Sequence, residues 1–325
     1  MLNYIFRRCL YALPLLLAVN ILTFTLFFVV NSPDDMARMQ LGQKHITQNA
    51  IQNWKQQHGY DKPLLWNSTG QGSEQLTDTI FYSKSVGLMM FDFGISDSGR
   101  NIEADIRERA IPSLALALPT LLIGLTVNVI CALLMVLCRR SVVEKISIVL
   151  CVMLMSISSL FYIIGGQFLV AKVLKLVPIS GYDDGLAMIK FLILPVIIGV
   201  FTGVGSGVRW YQTLFLEEAE KDYVRTARAK GLTQTQVLFR HVLPNAMIPI
   251  LTGVVVILPL LFMGSLIMES FFSIPGLGSY TIDAINSQDF AIVRAMVFLG
   301  SVLYIFGLLL TDISYTLVDP RVRLN

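Results

Sequence analysis

Residues 111–138 read IPSLALALPTLLIGLTVNVICALLMVLC, 28 positions without an Asp, Glu, Lys, Arg or His. A bilayer core is about 30 Å thick and takes about 20 residues of helix to cross. Backbone groups in lipid must bond internally, so this stretch is read as a transmembrane helix. Arg139, Arg140, Ser141, Val142, Val143, Glu144 and Lys145 follow it, and then a second charge-free run from Ile146 to Ala171. A link this short forces the two runs into an antiparallel hairpin. Working outward, four more such windows appear: Leu10–Val30, Phe191–Val208, Ile248–Met268 and Ala295–Thr311. The expectation is an all-α membrane protein of six transmembrane helices. Pro14, Pro119, Gly165-Gly166, Pro195 and Pro259 lie inside these windows. They read as kinks and points of close helix packing rather than as the hinges of a gate.

Composition agrees. Of 325 residues, 54% are hydrophobic and 14% charged, with a mean hydropathy of +0.66. Soluble domains run at about 45–50% apolar and about 25% charged. An ordinary soluble enzyme and a disordered chain are excluded. A net charge of +3 offers no broad cationic field for nucleic acid, so none is expected as a partner. Cys9, Cys131, Cys138 and Cys151 fall in or beside apolar stretches without a C-x-x-C spacing, and read as small apolar residues. His45, His58 and His241 are too scattered for a metal centre.

The basic flanks set an orientation. Arg7 and Arg8, Arg139, Arg140 and Lys145, the 214–247 segment with Lys221, Arg225, Arg228, Lys230 and Arg240, and the tail with Arg321 and Arg323 all fall on one side of a six-span chain. Lysine and arginine accumulate on the cytoplasmic side. Both termini and the 214–247 loop are therefore expected inside, and residues 31–110 outside. The first span has a basic start, but its apolar run is long for a signal peptide and Val29-Val30-Asn31-Ser32-Pro33 lacks an A-x-A site, so a retained helix is expected.

The external stretch is polar, with Trp54, Tyr60, Trp66 and an amphipathic run near 46–57, and reads as a small outer cap. Asn67-Ser68-Thr69 matches a glycosylation acceptor by a pattern common by chance. Asp92-Phe93-Gly94 matches a kinase tripeptide, but the glycine-rich loop, lysine strand and catalytic loop that should accompany it are missing.

The 214–247 loop is the most informative segment. Glu217, Glu218, Glu220 and Asp222 come first and Arg225, Arg228 and Lys230 last, an order that complements a helix macrodipole. Gly231 supplies a terminator. Thr233-Gln234-Thr235-Gln236 has the form of a capping box and opens a second helix, which Pro244 is expected to stop. A plain connector needs only a few residues. The length, the helix punctuation and the small residues of Thr226-Ala227-Arg228-Ala229 point instead to a docking surface that another protein can approach closely.

Tyr223-Val224-Arg225-Thr226-Ala227-Arg228-Ala229-Lys230-Gly231-Leu232, followed by His241-Val242-Leu243-Pro244-Asn245-Ala246, resembles the cytoplasmic loop of bacterial ABC-transporter permeases, in particular the dipeptide/oligopeptide/nickel branch. Gly231, Leu243 and Pro244 fall at the spacing of that family's Glu-Ala-Ala…Gly…Ile-x-Leu-Pro pattern, and Ala227 keeps its second alanine. Arg225 and Thr226 stand for its Glu and first Ala and His241 for its Ile, departures typical of the peptide branch. Arg7-Arg8, Gly59-Tyr60-Asp61-Lys62-Pro63-Leu64 and Asp92-Phe93-Gly94-Ile95-Ser96 resemble other motifs of the branch. So do Glu269 with Phe272-Ser273-Ile274-Pro275-Gly276-Leu277-Gly278, and Asp312, Tyr315 and Asp319-Pro320-Arg321.

The resemblance implies a coupling helix over Tyr223–Leu232 seated in a cleft of an ATP-binding subunit. It also implies a second homologous permease subunit, two ATP-binding subunits, an extracytoplasmic substrate-binding protein, and import across the inner membrane. In those terms residues 1–30 are an N-terminal transmembrane helix, 31–110 an external segment, and 111–325 a permease core.

The chain lacks G-x-x-x-x-G-K-S/T, and so a phosphate cradle. Its six windows lack the ionisable groups by which ion-coupled carriers bind a driving ion. Neither energy source is encoded, so a partner must supply it; no cofactor and no catalysis are expected. Asn20, Asn128, Ser156, Ser158, Ser159 and Gln167 are candidate path-lining residues, with interhelical hydrogen bonding the equal alternative. Glu269 and Asp283 either meet the substrate-delivery protein or are interfacial charges. Peptides lead as substrate; a permease for nickel or another small solute, a lone secondary carrier, a membrane-embedded enzyme and an assembly factor are the competing readings.

Overall fold

A computed structural model describes residues 2–42, 47–68 and 72–318. His45, Thr69, Asp319, Pro320, Arg321 and Arg323 lie outside the described residues. Among the described residues five helices are long and apolar enough to cross a membrane: Leu10–Val30, Ile102–Leu137, Gly185–Ala219, Gln234–Met263 and Phe290–Ser314. Among the described residues one isolated bridge, Ile95 to Asn101, is the only extended pairing.

The window Ile146–Ala171 is not one straight span. Val142–Ser156 and Ser159–Val173 meet at 87°, and only as one bent unit do they make a sixth span. The chain turns through Ile157 and Ser158, both extended. The freed backbone groups find partners nearby: Ser158 Oγ accepts the Leu160 N–H at 3.4 Å and Tyr162 Oη donates to the Leu154 carbonyl at 2.9 Å. Serines pass a hydropathy window yet can cap a break as well as a turn does.

Three further expectations are corrected. Pro244 does not stop a helix, because Gln234–Met263 runs through it. The π-helical turn Leu238–Val242 widens the backbone just ahead of the proline, which absorbs its missing N–H and ring. The fifth window is cut instead at Gly264, whose φ of +67° separates it from the helix Leu266–Phe272. The 214–247 segment is therefore not a long loop: its first residues finish the helix Ile189–Ala219, and from Gln234 it is already the next membrane helix.

The chain forms two compact units. Among the described residues the first comprises 2–109 and Tyr280–Leu309, the second Ala110–Ser279 and 310–318. In the first, Ser32 and Asp35 form a capping box that opens the helix Pro33–Leu41, and Thr47 caps Gln48–His58, which ends at left-handed Gly59. Phe24, Phe28, Met36, Ile51, Trp54, Tyr60 and Ile80 bury their side chains against one another. Gln40 links Trp54 Nε1 at 3.1 Å to the Asp97 carboxylate at 2.9 Å, and Asp289 accepts the Asp97 N–H at 3.0 Å. Arg294, one residue outside the sixth charge-free window, is buried under the Phe28 ring at 5.2 Å.

In the second unit, Ser141 caps Val142–Ser156, and Glu144 accepts both the Arg140 N–H at 2.6 Å and Gln212 Nε2 at 3.3 Å. Glycines let helices approach here. A Cβ at Gly207 would stand 2.3 Å from Asn128 Nδ2, and one at Gly205 would stand 2.7 Å from the Cys151 carbonyl oxygen. Close backbone approach is the usual adhesive between helices in lipid, where the hydrophobic effect offers none.

Candidate functional site

The second unit carries an eight-residue helix, Asp222–Ala229, between two membrane helices. The first of these ends at Ala219 with Glu220 as its cap, and Lys221 is extended, so the chain breaks there and restarts. Only Asp222 of the four acidic residues stands in the short helix; Glu217 and Glu218 close the preceding one. At the far end Gly231 adopts φ +83° and its N–H bonds the Arg228 carbonyl at 2.9 Å. Thr233 and Gln236 then cap each other reciprocally, Thr233 N–H to Gln236 Oε1 at 3.0 Å and Gln236 N–H to Thr233 Oγ1 at 3.3 Å.

The short helix has two faces. Val224 and Ala227, one turn apart, are buried against Phe215, Ala219, Val237 and Leu238, with half-buried Leu232 and Leu243 beside them. Arg225, Thr226, Arg228, Ala229, Lys230 and Gly231 are exposed. Ala227 is therefore small for the protein's own core, and of the two alanines only Ala229 faces outward. Arg225 pairs with Asp222 at 3.4 Å, both highly exposed, which adds little stability. The outer face is thus cationic, carrying Arg225, Arg228 and Lys230.

Tyr223 belongs to neither face alone. Its hydroxyl donates to Glu218 Oε1 at 2.5 Å and lies 3.4 Å from the His241 carbonyl oxygen. Lys221 Nζ reaches the other Glu218 oxygen at 2.6 Å. Burial first, and the Glu218 carboxylate second, push the Tyr223 hydroxyl above the usual phenol range. His241 sits half-buried in the π-helical turn, and its carbonyl also accepts Asn245 Nδ2 at 2.7 Å. Pro244 is exposed.

Glu269 is not a surface residue. It is fully buried, and its carboxylate accepts four hydrogen bonds: from Ser113 Oγ at 2.8 Å, and from the N–H groups of Ser265 at 3.0 Å, Gly278 at 2.7 Å and Ser279 at 3.1 Å. Burial raises its pKa, and these donors oppose the rise. The glycines beside it make room. A Cβ on Gly276 would stand 2.3 Å from the carboxylate, and one on Gly278 would stand 2.7 Å from the Ser265 backbone. Within Phe272–Gly278 only Ser273 and Pro275 are exposed. The Glu269…Pro-Gly-Leu-Gly motif is a buried knot, which removes Glu269 as a contact for a delivery protein; Asp283 remains exposed.

Of the polar candidates for a path, Asn20, Ser156, Ser158 and Gln167 have hydrogen-bond partners, whereas Asn128 Oδ1 is buried without one. Asn20 is buried and donates to the Ser85 carbonyl at 2.7 Å. Gln167 donates to the Ile179 and Phe271 carbonyls at 3.2 and 3.0 Å. Asn128 packs against Gly207, and Ser156, Ser158 and Ser159 lie at the 87° break. None lines the cleft of ≈ 390 Å³ in this unit, which Leu116, Thr120, Gly199, Thr202, Leu261 and Ser265 border. Sequence reading passed over Thr120 and Thr202 because their hydroxyls bond their own helices, at 2.7 and 2.9 Å, and so disturb no apolar pattern. In the first unit a polar groove of ≈ 730 Å³ is bordered by Asp97, Arg100, Arg109, Tyr280, Asp283 and Asp289.

Residues 109–324 match the family model described as "Binding-protein-dependent transport system inner membrane component", and residues 1–72 match the N-terminal model of such membrane components. The glutathione transport system permease protein of Shigella flexneri is 29% identical over 99% of both chains, and that of Escherichia coli strain K12 is 28% identical over 99% of both. A Brucella abortus protein provisionally named a peptide transport system permease is 31% identical over 98% of both chains.

Proposed function

This chain belongs to the family of binding-protein-dependent transport system inner membrane components, and on that premise we propose that it is driven through its 223–232 segment to carry peptides inward. It is a non-catalytic, multi-pass permease subunit of an ABC importer in the bacterial inner membrane. Its partners are an ATP-binding subunit, two in number by the proposal, a second homologous permease subunit and an extracytoplasmic binding protein. Relatives named for glutathione and for peptides support a small peptide-like solute. Such a solute has backbone amides that need partners whatever its side chains are.

One observation carries the coupling role: an eight-residue helix fixed to the protein's own core by Val224 and Ala227, with a cationic face turned away from that core. The docking surface is Arg225, Thr226, Arg228, Ala229 and Lys230, on the cytoplasmic side by the distribution of Lys and Arg. Closing of the ATP-binding subunits displaces this helix. The break at Glu220–Lys221 and the turn at Gly231 let it pivot, and the two adjoining membrane helices exchange outward- and inward-open arrangements. Membranes expressing the complete system test this: the ATP-binding subunit should co-purify with the wild-type chain and be lost from Arg225→Glu/Arg228→Glu. Retention of that subunit by the charge-reversed chain would disprove the docking face.

A further inference from the structure

We infer that Glu218 and Tyr223 form a latch that passes displacement of the short helix to the membrane helix Ile189–Ala219, which makes Glu218 a positioning residue for transport. The inference rests on the proposed reading of Asp222–Ala229 as the motor's contact. Glu218 lies one residue from the end of that membrane helix and is 8% exposed. A carboxylate in the last turn of a helix opposes the macrodipole, so nothing local favours it there. What holds it follows in the chain: Tyr223 Oη at 2.5 Å and Lys221 Nζ at 2.6 Å. Because the phenol's pKa is raised, Tyr223 stays a donor throughout the physiological range.

The second arm is weaker. Tyr223 Oη stands 3.4 Å from the His241 carbonyl, which already accepts Asn245 Nδ2 at 2.7 Å. A phenol has one proton, and the short charge-assisted bond to Glu218 takes it. One hydroxyl thus stands between the end of one membrane helix and the π-helical turn early in the next, gripping the first and merely touching the second. Packing of Val224 and Ala227 is non-directional and tolerates sliding; the Glu218 bond has a direction and turns sliding into a pull. When the short helix moves, the His241 contact releases while Glu218 stays attached, so the two membrane helices separate instead of moving together.

The test uses the complete transporter in proteoliposomes and measures substrate imported per ATP hydrolysed for Glu218→Ala, Glu218→Gln and Tyr223→Phe. Subunit stoichiometry should match the wild type. The ratio should fall about tenfold in Glu218→Ala and Tyr223→Phe, the effect of losing a charge-assisted hydrogen bond, with partial recovery in Glu218→Gln. The double variant Glu218→Gln/Tyr223→Phe should be no worse than Tyr223→Phe alone. An unchanged ratio in all three single variants overturns the latch and leaves the permease reading standing. Loss of the ATP-binding subunit from the variants also overturns it, because the pair would then only shape the docking surface. Absence of an ATP-binding partner from the wild-type chain sinks the underlying reading instead.

Discussion

Replacing Glu269 by Ala tests whether the Pro-Gly-Leu-Gly turn is architecture or contact surface. The carboxylate satisfies four donors, and three of them are backbone N–H groups, of Ser265, Gly278 and Ser279, that cannot turn away. A buried donor left unpaired costs about 1–3 kcal/mol, and these three share one acceptor, so their losses are coupled and not additive. Removing a buried charge recovers part of its desolvation cost. The net expectation is a loss of about 3–5 kcal/mol, a large share of the about 5–15 kcal/mol typical of a folded domain. Glu269→Gln keeps one oxygen but turns an amide NH₂ toward N–H donors, and should lose about 2 kcal/mol. Thermal unfolding of the detergent-purified chain should rank wild type above Gln and Gln above Ala. A Glu269→Ala protein that melts with the wild type, yet fails to respond to its binding protein, would refute the reasoning and restore Glu269 as a contact.

Three further substitutions bear on other parts of the account. Gly207→Leu puts a side chain where even a Cβ would stand 2.3 Å from Asn128 Nδ2, and should reduce accumulation in the membrane, read by quantitative blotting; Asn128→Ala in the same chain should restore part of it. Gly231→Ala meets no atom within 4 Å, but at φ +83° it should cost about 1–2 kcal/mol, seen as reduced ATP hydrolysis on substrate addition with normal membrane insertion. Asp97 has its carboxyl held above the usual range by burial and by Asp289. The folded form then binds the proton more tightly than the unfolded chain, so stability rises as pH falls from neutral toward the ordinary aspartate value. Asp97→Asn should flatten that part of the melting profile.

Much of this was legible in one dimension. A charge-free window of membrane length needs no tertiary knowledge, and neither do the Gly231 terminator or the Thr233…Gln236 box, which are set by residues a few positions apart. The bend at Ile157–Ser158 was not legible, because a serine in an apolar run reads the same whether it bonds its own helix or caps a break. The continuation through Pro244 depends on a π-helical turn, which has no sequence signature of its own. Ala227 stands in a run of small residues, which by itself points to a partner-facing surface; only the packing of the helix shows that positions 224 and 227 carry its buried face. Glu269 could not be placed, since its donors include Ser113, distant in sequence. The association of 280–309 with the N-terminal residues, and the burial of Arg294, likewise arise only from three-dimensional packing.

Attaching a photo-reactive cross-linker in place of Arg228, in membranes that hold the whole transport system, tests the central claim most directly. One dominant adduct is expected, an ATP-binding subunit, formed from the cytoplasmic side. Adducts with an outer-compartment protein, or none with any ATP-binding protein, would contradict it.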